Sequence, residues 1–191
     1  MHADSLARAV AAAQRAVELA PTNYLGHCAL AQALFFQGEL ESFRNAAERA
    51  VALNPMDGNT VAFLGELLTY SGHRQRGMDL SARAKRLNPN HPGWYWYADF
   101  YNAYSQGDYR GALGFALKVN MPGHWFSHVA IAAAYGHLGE KEAAAKSTRE
   151  LSKLRSDFSA TGRRDMEKWW SPAYCDDIID GLRTAGLEVA G

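Results

Sequence analysis

Pro21, Pro55 and Pro89 stand 34 residues apart, and each closes a similar phrase: AVELAP at 16–21, AVALNP at 50–55 and RAKRLNP at 83–89. A fixed period of this length marks a chain assembled from copies of one helix–turn–helix unit. Such a unit cannot bury its apolar face alone. Stacked neighbours bury it and leave an extended surface, which suits binding better than chemistry. The period therefore predicts an all-α chain, a right-handed α-solenoid of antiparallel helix pairs.

Aligning the chain on its prolines gives repeat 1 at 22–55, repeat 2 at 56–89, an irregular repeat 3 at 90–122 and repeat 4 at 123–157, all within one domain over 1–191. In repeat 1, helix A carries Leu30, Ala31 and Leu34, and Gly38 ends it, because glycine enters the left-handed region without a Cβ penalty. Helix B carries Phe43, Ala47 and Ala50, and Pro55 stops it. Repeat 2 has Leu64, Gly65, Leu68 and Gly72, then Gly77, Ser81, Ala84 and Pro89. Small residues recur where paired helices must approach closely.

Repeat 3 keeps the turn QGDYRGAL (106–113), but its helix B reaches KVNMP (118–122) about two residues early. Repeat 4 returns to form with Ile131, Ala132, Tyr135, Gly139, Ala144 and Leu151, and Ser156 replaces its closing proline. The segment 158–191 reads as capping helices, at about 159–169 and 173–185, with Pro172 in the first turn of the last helix and Gly186 at its stop. At the other end, 4–21 reads as a helix B lacking its helix A, N-capped by Asp4 or Ser5. Its stripe of Leu6, Ala9, Val10, Ala13 and Val17 is expected to be exposed. Solenoids end in polar caps, so the expectation is a chain cut from a longer protein, or else a degenerate N-terminal helix.

The repeat residues resemble the tetratricopeptide repeat over about 6–157. The run HPGWYWYADFYNAYSQGDYRGALGFALKVNMPGHWFSHVAIAAAYGHLGEKEAA, followed by WWSPAYCDDIIDGLRTAGL, resembles the C-terminal repeat segments of bacterial multidomain regulators over 91–188. Those regulators include adenylate cyclase-like and winged-helix proteins. The resemblance implies a sensor or protein-interaction segment. No residue here matches the effector domains, so nucleotide cyclisation is not implied.

In an array of this kind the A helices line the concave face, with groove positions three or four residues apart. The stripe comprises Leu25, Cys28, Gln32, Phe35 and Phe36, then Asn59, Ala62, Glu66, Thr69 and Tyr70. It continues with Trp94, Tyr97, Tyr101 and Tyr104 in repeat 3, and Phe126, Val129, Ala133 and His137 in repeat 4. The aromatic run of repeat 3 suits a contact surface for a peptide with apolar anchors. The competing reading packs those rings against the neighbouring unit. Trp96 and Phe100, on the other face, belong to the core. The cationic grip needed to hold a terminal carboxylate is absent from the stripe, which argues against a chaperone tail as ligand.

Zero net charge and a pI near 7.1 offer no basic footprint for nucleic acid. Cys28 and Cys175 form neither a disulfide framework nor a CxxC pair, which fits a reducing, cytoplasmic setting. The start MHADSLARAV lacks a signal-peptide core, and no run reaches a membrane span's length. His124 and His128 share a helical face and His137 follows, but no further ligand stands nearby. Asp176, Asp177 and Asp180 suit a helix dipole, and RRDMEK beside Trp169 and Trp170 reads as a solvated face with the tryptophans capping the solenoid end. No phosphate loop or nucleophile motif is present.

The sequence thus points to a non-catalytic protein-interaction scaffold without cofactor or metal, the regulatory part of a bacterial signalling protein that binds a peptide or protein segment. The alternative is a homo-oligomerisation module, dimerising through the N-terminal helix. A metal- or small-molecule-dependent activity around His124, His128 and Tyr101 ranks third.

Overall fold

The prolines that set the period act together with the residues just after them. Asn23 and Asp57 each lie two positions past a proline and N-cap the helix that follows. Asn23 Oδ1 accepts from Leu25 N–H at 3.1 Å, and Asp57 Oδ1 accepts from Asn59 and Thr60 N–H at 3.1 and 3.3 Å. In a computed structural model, which describes residues 3–190, the chain forms eleven α-helices and one 3-10 turn, with no strand among the described residues. This is a tetratricopeptide-like helical-repeat fold. The chain comprises two compact units, 1–91 and 92–191.

Unit 1 holds α1 (Ala3–Leu19), the pair α2 (Tyr24–Gln37) and α3 (Leu40–Leu53), and the pair α4 (Gly58–Tyr70) and α5 (Arg74–Leu87). Each pair turns on a glycine at positive φ, Gly38 at 85° and Gly72 at 92°, a conformation that costs a Cβ-bearing residue dearly. Phe43, Leu64, Leu67, Leu68 and Leu80 are fully buried, each contributing on the order of 2 kcal/mol of transfer free energy. The second pair meets closely at its glycines: a Cβ on Gly77 would lie 2.5 Å from the Gly65 carbonyl oxygen.

The N-terminal helix departs from expectation. α1 starts at Ala3, so Asp4 sits in its first turn, where a carboxylate complements the helix dipole. Val10 and Ala13 are buried and Leu6 and Val17 half-buried, because α2 packs along this side. Only Ala9 of the expected stripe is open to solvent. Leu19 at 69%, Leu25 at 56% and Met56 at 69% exposure are open apolar residues in or beside this unit's α1–α2 and α3–α4 connections.

Unit 2 begins with a 3-10 turn (Gly93–Trp96) and continues with α6 (Tyr97–Tyr104), α7 (Tyr109–Val119), α8 (Trp125–His137), α9 (Lys141–Leu154), α10 (Phe158–Met166) and α11 (Pro172–Thr184). α7 has 11 residues where α3, α5 and α9 have 14, and it stops at Asn120 with φ 43°. Asparagine is among the few residues other than glycine that tolerate this region. The early stop leaves room for the 3-10 turn: a Cβ on Gly93 would collide with the Val119 carbonyl, so the two backbones touch there. Arg155, at the end of α9, reaches Asp165 of α10 at 2.8 Å, and Lys168 joins the same carboxylate at 2.6 Å. These two cations hold the Asp165 carboxyl down at about 2.

Candidate functional site: the A-helix face of unit 2

α8 has two opposed sides. His128, Ile131 and Tyr135 line a cleft of about 470 Å³ with Leu117 of α7 and Ser147 of α9. Three-residue and four-residue steps put Phe126, Val129, Ala133 and His137 on the other side. That second side is the predicted groove stripe, and α11 lies on it. Gly136 and Gly181 bring the two helices into backbone contact: a Cβ on Gly136 would collide with the Gly181 carbonyl, and one on Gly181 would lie 2.6 Å from the Ala133 carbonyl.

Local sequence explains why α11 forms. Ser171 N-caps it through the Tyr174 N–H, and Pro172 occupies its first turn. Tyr174, Ile178, Gly181 and Leu182 recur at helical spacing on its buried side. Tyr174 lies over Tyr101 with ring centroids 4.1 Å apart, and touches Tyr104 and Trp170 at 5.7 and 5.5 Å. Tyr104 O–H donates to the Asp177 carbonyl at 3.2 Å. The Asp177 carboxylate accepts from Tyr109 O–H at 3.1 Å and faces His137 Nε2 at 3.1 Å. His137 Nε2 also lies 3.0 Å from the Asp177 carbonyl, and its ring stacks on Tyr109 with centroids 3.9 Å apart. Carbonyl and carboxylate oxygens only accept, so His137 Nε2 carries a proton here.

Several stripe residues therefore do not line an open groove. Tyr97 and Tyr101 are buried and Tyr104 is fully buried. Tyr97 O–H bonds with His124 Nδ1 at 2.8 Å and Ser127 Oγ at 3.0 Å, which places it between α6 and α8. Tyr101 and Tyr104 face α11. Phe126 is buried against Trp170 at 4.5 Å and Tyr97 at 5.3 Å. Trp94 is half-buried beside Tyr95. These rings pack between helices, and among the elements that cover them is the last helix, α11. Trp170 likewise belongs to this cluster, and Trp169 is half-buried.

In unit 1 the stripe divides. Gln32 is exposed, whereas Phe35 is buried with its ring edge-on to Phe43 at 5.4 Å, in the α2–α3 seam. Tyr70 is buried and donates its O–H to Glu66 Oε1 at 2.7 Å. Desolvation pushes the Glu66 carboxyl up to about 7, against the opposing pull of the Tyr70 hydrogen bond. The ordinary value is 4.5, so between about pH 4.5 and 7 the folded chain holds a proton that the unfolded chain has lost. Stability therefore falls as pH rises through that window and levels off above it. Glu66→Gln is expected to remove the slope and to stabilise the chain on the order of 2 kcal/mol at pH 8, with no difference below about pH 4.5. Urea titrations of both proteins across pH check this; parallel curves at every pH contradict it.

Several other titratable groups make contacts within the fold. His124 is engaged by Tyr97, and burial lowers its pKa. His128 Nε2 lies 2.9 Å from the Pro122 carbonyl, and His27 repeats this with Pro21 at 3.0 Å, each histidine six residues after its proline. Among the described residues, no three His, Cys, Asp or Glu side chains converge as a metal site would require. Asp176 and Asp180 lie beyond the first turn of α11, so the helix dipole does not account for them. Asp176 instead pairs with Arg163 at 2.6 Å and Asp180 with Arg183 at 2.6 Å. Cys175 is fully buried and its thiol is pushed up to about 12; burial also raises that of half-buried Cys28.

Sequence reasoning missed Tyr109, Gly136, Tyr174, Asp177 and Gly181 as parts of one site. The signal available was the helical spacing of Tyr174, Ile178 and Leu182, which indicates an amphipathic helix without saying what it covers. The buried Tyr174 hydroxyl finds no hydrogen-bond partner among the described residues. Leaving such a group unpaired costs about 1–3 kcal/mol, so Tyr174→Phe is expected to keep or raise the melting temperature. A fall of several degrees would assign that hydroxyl a partner.

No family model matches the chain, and no curated protein matches it in sequence. Solved structures do share its helical-repeat fold. Two crystal structures of MamA align with a TM-score of 0.61 each, at 19% and 18% identity, covering 77% and 81% of this chain and 86% and 85% of theirs. At that identity the likeness is one of fold.

Proposed function

We propose that this chain is a non-catalytic protein-interaction module that receives helical segments on its A-helix faces. One observation carries the proposal: in unit 2 that face already holds a helix, α11, through ring stacking, close glycine contact and the Asp177 hydrogen bonds. The tetratricopeptide-like fold supports the same reading, since stacked helix pairs leave extended surfaces. Within unit 1, α2 and α4 pack against α1, α3, α5 and each other, and exposed Leu25 and Gln32 mark the part of the stripe open to a partner. A place in the regulatory half of a bacterial signalling protein belongs to this proposal and rests on the resemblance of residues 91–188. A cytoplasmic setting rests on the two unpaired cysteines. No helix among the described residues is long and apolar enough to cross a membrane.

Selection of displayed helical peptides against the full chain tests the proposal. Selected peptides should bind Leu25→Glu/Gln32→Arg at least tenfold more weakly, a loss of about 1.4 kcal/mol or more. Failure to select any peptide, or equal affinity for the variant, overturns it.

The exposed Leu19, Leu25 and Met56 favour a second reading, self-association through this end of unit 1. Sedimentation of wild type beside Leu19→Glu/Met56→Glu decides it: a concentration-dependent dimer abolished by the charges supports it, and a monomer throughout excludes it. Substituting Val10 would not serve, because a charge there would enter the α1–α2 seam.

A further inference from the structure

Four positions on one side of α11 define what the A-helix face of unit 2 grips. Tyr174 supplies a ring that sits among Tyr101, Tyr104 and Trp170. Asp177, three residues on, takes Tyr109 O–H and faces His137. Ile178, four on, is fully buried. Gly181, seven on, admits the backbone of α8, where any side chain would collide with the Ala133 carbonyl. Beside this face Cys175, Ile179 and Leu182 are buried as well, and two polar contacts tie the helix and the chain after it to α10. Asp176 pairs with Arg163, and Ala190 N–H donates to the Ser159 carbonyl at 2.7 Å. The connection from α10 is the short turn 167–171, in which Glu167, Lys168 and Ser171 are exposed. A tethered helix that fills a groove with its apolar side is the arrangement by which grooves recognise partner helices.

We infer that α11 is an exchangeable occupant: unit 2 accepts in its place an amphipathic helix of a partner protein, carrying an aromatic residue, an acid three on, an aliphatic residue four on and glycine seven on. This rests on the interaction-module reading and adds to it the partner's chemistry and a gate. The gate follows from tethering. A segment held by a short linker competes at an effective concentration on the order of millimolar, so only a helix that fits better than α11 displaces it. The structure shows how a better fit arises. Tyr174 buries a hydroxyl without a hydrogen-bond partner among the described residues, and phenylalanine at that position carries no such penalty. A partner helix with phenylalanine first in the pattern binds at least about fivefold tighter than the α11 sequence itself.

Cys175 supplies the readout. It is fully buried in α11, and in the full chain carrying Cys28→Ser it is the sole thiol. The probe is a synthetic peptide of residues 171–187 bearing Tyr174→Phe and Cys175→Ser. Cys175 of the protein should then react with a thiol reagent at least fivefold faster, saturably with peptide, while a control peptide that also carries Asp177→Lys and Gly181→Val leaves the rate at its basal value. An unchanged rate with the first peptide, or equal acceleration by both, overturns the exchange. Anisotropy of the labelled peptide separates the two ideas: binding without exposure of Cys175 places the peptide on another surface, which ends the exchange and leaves the interaction module standing.

Discussion

Tyr104→Ala is expected to destabilise unit 2 by about 3–5 kcal/mol, the range for emptying a buried aromatic site. Tyr104 is fully buried, touching Phe100, Tyr109, His137 and Tyr174 with its ring and reaching the Asp177 carbonyl with its hydroxyl. Truncation leaves a cavity that α6, α8 and α11 share, and no one of them can close it alone. The conservative change Tyr104→Phe removes only the hydrogen bond and should cost about 1 kcal/mol. Denaturant unfolding followed by tryptophan emission measures both, because all five tryptophans lie between residues 94 and 170 and so read unit 2 alone. A loss below 1 kcal/mol for the alanine variant would mean that α11 does not cover Tyr104 in solution.

Gly136→Leu should have the second-largest effect, about 1–3 kcal/mol from overpacking, concentrated on one contact. A Cβ at this position collides with the Gly181 carbonyl, and neither backbone can yield without parting the two helices. The expected outcome is an undocked α11: Cys175 becomes reactive under native conditions, and the amides of 174–184 lose protection from exchange, while unit 1 melts as before. Gly181→Ala, whose Cβ would lie 2.6 Å from the Ala133 carbonyl, should produce the same outcome in milder form. Wild-type exchange rates in α11 of Gly136→Leu would contradict the close backbone approach.

The repeat pattern was readable because it is local. Proline, then Asn23 or Asp57 as cap, then a turn glycine at positive φ, are decided within a few residues of one another. The irregular third repeat was also legible: KVNMP announces an early helix end, and Asn120 makes that end in the left-handed region. The stripe of groove positions was legible as a stripe, since Tyr101, Tyr104, Phe126 and His137 do share one side of their helices. Its occupant was not. Tyr174, Ile178 and Leu182 would satisfy any apolar face, and a helix at the end of a repeat chain is as readily a cap as a ligand.

By itself, then, the sequence determined the helix pairs and their turns, and marked one side of each A helix with a stripe. The period encodes contacts between neighbours a few residues or one repeat apart. Only the tertiary structure decided what covers that side in unit 2. The deciding contacts join residues as far apart as Tyr104 and Asp177, 73 positions along the chain. They also depend on two glycines, Gly136 and Gly181, whose lack of side chains acquires meaning only when their backbones meet.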